Sequence, residues 1–214
     1  NTGKSTEIVN NADVPLHLGV DVARMGEDES VVYGNRGGHV RLMDKWANST
    51  LMETAQRVHN IAIEHGAKEV RVDGVGIGAG VFDGQYEVVS LVGNASSPDL
   101  DRWRNIRAYW WDTIRERMAK GEVDIDFADE ALQDELLSVN YHFKNQRNSL
   151  QIESKEELRA RISKSPDYAD AFIYSLVDLG FNPADPSSKL VAGQEFELDL
   201  DQALWDIETT ISPF

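Results

Sequence analysis

The amino-acid sequence predicts an α/β protein with a mixed central sheet flanked by helices. The prediction depends on alternating apolar residues in the first half of the chain, a glycine turn between two such segments, and helical periodicity in the second half. Leu16–Val22, Ser30–Asn35 and His39–Trp46 are predicted strands. Arg36-Gly37-Gly38, between the second and third of them, is typical of a hairpin turn. The fold therefore begins with a meander of three strands.

Later segments extend this sheet and cover it. Thr50 is a good N-cap for a helix that continues to His65, and Gly66 suits its C-terminal end. The remaining predicted elements are the strands Glu69–Asp73 and Glu87–Val92, the helices Arg104–Lys120, Asp129–Val139 and Pro166–Leu179, and a hairpin of Tyr141–Phe143 with Leu150–Ile152. A meander joined through a helical crossover to parallel strands is the order of ribonuclease H-like, RuvC-like folds.

The composition restricts the class of function. The 214 residues carry 21 Lys and Arg against 37 Asp and Glu, a formal net charge of −16. Such a charge disfavours nonspecific attraction to nucleic acids or to a membrane surface. There is no cysteine, which excludes disulfides, zinc–thiolate sites and thiol nucleophiles. No apolar run is long enough to predict a transmembrane helix.

Three parts are predicted along the chain. Residues 1–15 are polar and indicate a leader or linker, without the apolar core of a secretion signal. Residues 16–180 contain all the predicted elements of the domain. Residues 181–214 form an acidic tail with seven acids against Lys189, and its segment Glu195–Glu208 is partly amphipathic. Docking on a partner, covering of a basic surface and a passive end all remain open for this tail.

Three aspartates are placed where strands and a helix end near one another. Asp21 ends the first strand, and Asp73 ends a later strand before a glycine-rich loop. Asp170 lies among apolar residues near the start of the last helix, where a carboxylate is costly to bury unless a cation neutralises it. Asp167 lies one helical turn earlier. Each aspartate singly also suits a turn or a cap, but together they form the hard-oxygen ligand set that Mg²⁺ or Mn²⁺ prefers.

Five segments of the chain, taken in order, resemble the nuclease domain of phage large terminase subunits. The resemblance covers about Leu16–Gly180, and its specificity comes from the ordered set. The segments are Gly19–Arg24 with Asp28–Val32, Val72–Val81, Arg107–Trp111, Ile152–Arg159, and Ser165–Ala171.

The resemblance implies a divalent-metal-dependent endonuclease that cuts concatemeric viral DNA during genome packaging. Asp21, Asp73 and Asp170 would be the catalytic metal ligands and Asp167 an auxiliary ligand, around two Mg²⁺ or Mn²⁺ ions. Two such ions activate water and stabilise the leaving oxygen of a phosphodiester. The implied partners are double-stranded DNA, the terminase ATPase domain, the small terminase subunit and the portal protein, with no membrane. The implied location is the host cytoplasm, transiently at the procapsid portal, and not secreted.

Local charge predicts where the DNA would bind. Tyr141–Ser165 contains six basic residues against three acidic ones, inside an acidic chain. Basic side chains that meet phosphates give sequence-independent binding that weakens with salt. The predicted contacts are Lys144 and Arg147 at a hairpin tip, followed by Lys155, Arg159 and Arg161.

Other functions remain open for this pattern. A Holliday-junction resolvase would use the same fold and acids, but it would need a dimer for which the sequence offers no obvious helix. An actin-like ATPase would need two duplicated halves, and no duplication is visible. A noncatalytic docking domain of the same fold would act through the acidic tail.

Overall fold

The computed structural model describes residues 13–23, 29–73, 85–144 and 149–178. Its centre is a five-stranded sheet in the order β3–β2–β1–β4–β5. The strands are β1 (Leu16–Asp21), β2 (Ser30–Arg36), β3 (His39–Trp46), β4 (Ala67–Asp73) and β5 (Glu87–Leu91). The meander β1–β2–β3 is antiparallel, whereas β4 runs parallel to both β1 and β5. This mixed sheet confirms the predicted fold class.

Two glycines make the predicted turn between β2 and β3. Gly37 and Gly38 have φ values of +63° and +92°, which glycine adopts without a steric penalty. A Cβ atom on Gly38 would lie 2.4 Å from the carbonyl oxygen of Glu122. Backbone hydrogen bonds of 2.8 Å join Asp124 to Gly38 and Val40. The turn is therefore tight and is held against the chain that follows residue 121.

The described residues contain five helices that cover the sheet. They are α1 (Leu51–His65), α2 (Ile106–Ala119), α3 (Glu130–Ser138), α4 (Lys155–Ile162) and α5 (Asp167–Leu176). α1 has both predicted ends, because Thr50 and Glu53 form a reciprocal capping box and Gly66 adopts a left-handed conformation. Among the described helices, none has the length and apolar character needed to cross a bilayer.

The two faces of the sheet carry separate apolar cores. On one face, Val20 and Val72 pack with Val58 of α1. On the other face, Val31 packs with Phe172 of α5 and with side chains of α2 and α3. Because side chains alternate along a strand, Val20 on the α1 side places its neighbour Asp21 on the α5 side. The sheet thus directs the acidic strand ends towards α5.

α5 packs directly on β1 because Gly19 has no side chain. A Cβ atom on Gly19 would lie 2.1 Å from the carbonyl oxygen of Ala171 and 2.2 Å from the amide nitrogen of Ser175. The C-terminal end of α5 is held by side chains of the sheet: Asn35 and Arg71 both donate to the carbonyl of Ser175. These contacts fix α5 so that its first turn lies beside the end of β1.

The helix α4 is absent from the predicted elements. It follows the predicted hairpin, which consists of β6 (Tyr141–Lys144) and β7 (Ser149–Ile152). Its signal is a capping box between Ser154 and Glu157, whereas Leu158 is its one buried side chain. Apolar periodicity is therefore too weak to reveal this helix, although the cap is visible in the sequence. The capping box makes Lys155 the first residue of α4.

The contact between α5 and β1 predicts a severe effect of Gly19→Ala. The added methyl group would collide with backbone atoms, which cannot rotate away, so the helix must shift. We expect the free energy of unfolding to fall by about 3 kcal/mol, measured by urea denaturation. Gly93→Ala is the matched control, because a Cβ atom there would lie at an ordinary 3.6 Å from the Cβ of Arg107. Equal stability of the two variants would contradict the proposed close packing.

Candidate active site

Asp21 and Asp73 end two neighbouring parallel strands. Val20 pairs with Val72 in register, so the residues that follow them also lie side by side, on strands whose backbones are about 5 Å apart. Both acids fall on the face covered by α5, since Gly19 and Arg71, two residues earlier on each strand, contact that helix. Asp21 is buried and Asp73 is half-buried. The structure therefore brings these two predicted site residues to one edge of the sheet.

The first turn of α5 supplies the other two predicted acids. Asp167 and Asp170 are both buried, and Asp170 is completely inaccessible. Pro166, at the N-cap, makes no side-chain hydrogen bond to the helix. Instead Glu135 of α3 accepts the backbone N–H of Ala169 at 2.9 Å. A carboxylate from a different helix thus caps α5 and fixes the turn that carries the acids.

Lys155 joins the two buried carboxylates of Asp21 and Asp170. Its Nζ atom lies 3.0 and 3.3 Å from the two carboxylate oxygens of Asp21. The same atom lies 3.0 Å from Oδ2 of Asp170. The Lys155 side chain is 31% exposed, so the ammonium approaches the acids from the surface. A single cation therefore bridges β1 and α5.

Arg107 contacts Asp170 on the other carboxylate oxygen. Its Nη2 atom lies 3.1 Å from Oδ1 of Asp170, and its Nη1 atom donates to the carbonyl oxygen of Glu153 at 2.7 Å. Glu153 lies two residues before Lys155, in the link between β7 and α4. Arg107 thus connects the acid on α5 to the start of the helix that carries the lysine.

The surroundings shift the pKa values of these groups in opposite directions. Burial raises the pKa of Asp21 well above its usual value, opposed by Lys155 and reinforced by Asp170 and Asp167. Burial also acts against ionisation of Asp170, but Arg107 and Lys155 outweigh it and lower the pKa of that carboxyl. Burial opposes the charge of Lys155 as well, yet Asp170 and Asp21 raise its pKa. Arg107 thus favours ionisation of Asp170 over that of Asp21, and Lys155 favours ionisation of both.

The geometry is suited to a cation but is not a closed metal cage. Oδ2 of Asp170 is buried and accepts no hydrogen bond within the described residues, although the Lys155 ammonium lies beside it. The carboxylates of Asp21 and Asp170 thus already surround one positive charge. Within the described ranges, however, no three His, Asp or Glu side chains converge closely enough to hold a metal ion. The residues fit a divalent ion in ligand chemistry, and the Lys155 ammonium lies between two of them.

The residues predicted to contact DNA have different surroundings. The side chain of Lys144 and all of Arg147 lie outside the described residues, as does the predicted tail, 181–214. Lys155 lies in the acidic site. Arg159 is exposed on α4, whereas Arg161 pairs with Glu153 at 2.8 Å and also donates to the carbonyl of Ser138. Their contacts with DNA remain predictions.

The sequence does not predict the positions of three residues near the acids. Arg107 lies in a segment of the resemblance but is given no role, and Lys155 is predicted to contact DNA. Tyr174 lies one helical turn after Asp170. Burial first, and then the charges of Asp170, Asp21 and other neighbouring groups, raise its pKa well above its ordinary value. The Ser154 capping box was the one sequence signal that could have placed Lys155.

Removal of the bridging cation predicts a pH-dependent loss of stability. Lys155→Met would leave Asp21 and Asp170 buried without the lysine charge that partly neutralises them. We therefore expect the free energy of unfolding to fall by about 3–5 kcal/mol near pH 7 in EDTA. The loss should shrink as the pH falls, because the folded variant binds protons at these acids more readily than the unfolded chain does. Urea denaturation between pH 4 and pH 8 measures it.

Lys68→Met is the control for this variant, since Lys68 is an exposed lysine at the start of β4. It should change stability little at any pH in the series. A pH-independent loss in Lys155→Met would show that the lysine stem, and not its charge, stabilises the site.

Comparison with solved structures finds this fold in nuclease domains of phage large terminase subunits. The domain from bacterial virus Sf6 is 21% identical, with a TM-score of 0.68 over 77% of this chain and 88% of that chain. The nuclease from Thermus phage P74-26 is 18% identical, with a TM-score of 0.58 over 77% and 80%. The nuclease from thermophilic phage G20c is 16% identical, with a TM-score of 0.56 over 77% and 82%.

Several of these similar structures contain metal ions. The Sf6 domain has been determined with manganese and with calcium, in each case as a lysine-to-alanine variant. The G20c nuclease has been determined with magnesium and with cobalt. No family model matches this chain, and no curated protein sequence matches it. At these identities the similarity establishes the architecture: the chain has the fold of phage large terminase nuclease domains.

Proposed function

We propose that this chain is a divalent-metal-dependent endonuclease, the nuclease domain of a phage large terminase subunit, which cuts concatemeric viral DNA during packaging. The observation that carries the proposal is the pair of buried carboxylates, Asp21 and Asp170, that share one cation at a sheet edge. Burying two acids this way is costly for stability, and it suits a site that binds positively charged ions. The terminase nuclease fold supports the same function.

The proposed cofactor is Mg²⁺ or Mn²⁺, with two ions in the active complex. When bound, such ions supply activated water and stabilise the leaving oxygen of the phosphodiester. Asp21, Asp73 and Asp170 would provide the carboxylate ligands, and Asp167 an auxiliary one. Since Asp73 is half-buried beside Asp21, a small side-chain movement would bring a third carboxylate into the site. The metal-bound structures of similar nucleases support this choice of ion.

Arg107 and Lys155 would have different roles in this site. Arg107 holds Oδ1 of Asp170 and leaves Oδ2 directed at the site, so it would orient the ligand without competing for the cation. Lys155 lies between Asp21 and Asp170, so it would have to withdraw before these carboxylates could bind metal. Its partly exposed side chain has room to move towards a DNA phosphate, which is the role predicted for it from the sequence.

The remaining assignments concern the substrate and the partners. Lys144, Arg147, Arg159 and Arg161 are proposed to contact DNA phosphates. The proposed partners are the terminase ATPase domain, the small terminase subunit and the portal protein, in the host cytoplasm and transiently at the procapsid. Residues 16–180 would form the nuclease, with residues 1–15 as a linker and 181–214 as a tail. No observation favours the resolvase, ATPase or docking alternatives.

The proposal predicts metal-dependent nicking of supercoiled plasmid. Wild-type protein should nick it with MnCl₂ and not with EDTA. Asp21→Asn, Asp73→Asn and Asp170→Asn should each lower the rate by about a hundredfold or more, because each loses a charged ligand. Agarose gels of a time course measure the rate.

Asp134→Asn is the control for these variants, because Asp134 is exposed on α3. It should nick plasmid at the wild-type rate. Full activity in any of the three site variants would refute the proposed ligand set, and an inactive wild-type protein with every metal would refute the nuclease proposal.

The predicted hairpin contacts give a second test of DNA binding. Lys144→Glu with Arg147→Glu should weaken duplex binding. The slope of log K against log salt concentration should become less steep by about two, since each neutralised phosphate contributes about 0.9. Fluorescence anisotropy across a salt series in EDTA measures both quantities. An unchanged affinity and slope would remove the hairpin tip from the DNA-binding surface.

A further inference from the structure

We propose that Lys45 and Lys164, gathered around the ring of Tyr168, form a second phosphate-binding site for the DNA backbone, on the side of α5 away from Lys155. This inference rests on the proposed nuclease function and adds a binding site to it. Neither lysine belongs to the DNA-binding set predicted from the sequence. The ligand would be the phosphodiester backbone of duplex DNA next to the cleaved bond.

Tyr168 positions both ammonium groups. The Nζ atom of Lys45 donates to the Tyr168 hydroxyl at 2.6 Å and lies 5.2 Å from the centre of its ring. The Nζ atom of Lys164 lies 5.3 Å from the same ring centre. Tyr168 is itself buried in the first turn of α5, so its ring is fixed. Two lysine side chains are therefore held near one point, at little further cost in conformational entropy when they bind a ligand.

The register of the sheet places this pair beside the catalytic acids. Asp21 pairs with Val31, and Val31 pairs with Lys45, so the three residues form one row across β1, β2 and β3. Lys45 is thus about 10 Å from Asp21 along the sheet, on the same face. Tyr168 lies between Asp167 and Asp170 in the sequence of α5. A DNA strand whose cleaved bond lies at the acids, and which runs along this row of the sheet, would meet these lysines.

Both lysines keep hydrogen-bond donors for a phosphate. Lys45 and Lys164 are 48% and 52% exposed, and an ammonium group has three donors. Glu29 belongs to the same cluster, because its carboxylate accepts the Tyr168 hydroxyl at 2.7 Å. Its ion pair with Lys45 is long, at 3.6 Å, and lies at the surface, where such pairs are weak. Lys164 pairs with Glu135 at 2.8 Å, but that buried carboxylate also accepts the N–H of Ala169. Glu135 thereby anchors Lys164 without covering its exposed side.

The test compares two doubly substituted proteins with the same loss of charge. Lys45→Gln with Lys164→Gln keeps much of each stem and a hydrogen-bond donor but removes both charges. Its control is Lys68→Gln with Lys120→Gln, which removes two exposed lysines, at the start of β4 and the end of α2. Anisotropy of a fluorescein-labelled duplex in EDTA gives the affinity across a salt series. Circular dichroism and thermal unfolding confirm the fold.

We expect the Lys45/Lys164 variant to bind duplex about tenfold more weakly than the control variant. We also expect its dependence of log K on log salt to be less steep by about 1.8, since two phosphate contacts are lost. Arginine at both positions should restore the slope. If the double variant does not fold, Lys45→Gln should still reduce the slope by about 0.9.

The outcomes separate this inference from the proposed function. If wild-type protein binds and nicks DNA while the two double variants behave alike, the phosphate site is wrong and the nuclease proposal stands. If wild-type protein neither binds nor nicks DNA, both are overturned. Loss of binding in the glutamine variant, with restoration by arginine, supports the site.

Discussion

Two carboxylates, on Asp21 and Asp170, are buried on facing elements, and the rest of the site is arranged around that constraint. The contact exists because Gly19 lets α5 approach the backbone of β1 with no side chain between them. Such a contact leaves little room for water to solvate the acids. The cost of burying charge must therefore be offset by neighbouring cations, and the structure supplies Lys155 and Arg107 for that purpose.

The two cations approach the acids from different directions, and as a result the pKa values of Asp21 and Asp170 shift differently. Arg107 is 15% exposed and binds the backbone of Glu153 as well as Asp170, so two contacts hold it in place. Lys155 approaches from the surface and contacts both acids. With two cations beside it, Asp170 has a lowered pKa, whereas burial raises the pKa of Asp21. Ionisation is therefore favoured at Asp170 over Asp21, and Lys155 contributes to the ionisation of both acids.

The sequence predicts the scaffold well and the surroundings of the acids poorly. Strands and α1 follow from apolar periodicity, turn glycines and the Thr50 cap, which are local properties of the chain. The positions of Asp21, Asp73 and Asp170 at the edge of the sheet follow from that order of elements. The roles of Lys155 and Arg107 do not, because they depend on contacts between residues far apart in the chain. α4 also escaped, since a helix that buries little more than Leu158 has almost no apolar period.

In the proposed nuclease, Lys155 would connect the stability of the metal-free protein to its affinity for metal. The ammonium group lies between Asp21 and Asp170, so it would have to leave before these carboxylates could bind a divalent ion. Metal affinity would then be the intrinsic affinity of the carboxylates reduced by the free energy of withdrawing Lys155. A DNA phosphate beside the site would accept the withdrawn ammonium and lower that cost. Metal and DNA should then each favour binding of the other, with Lys155 as the group that couples them.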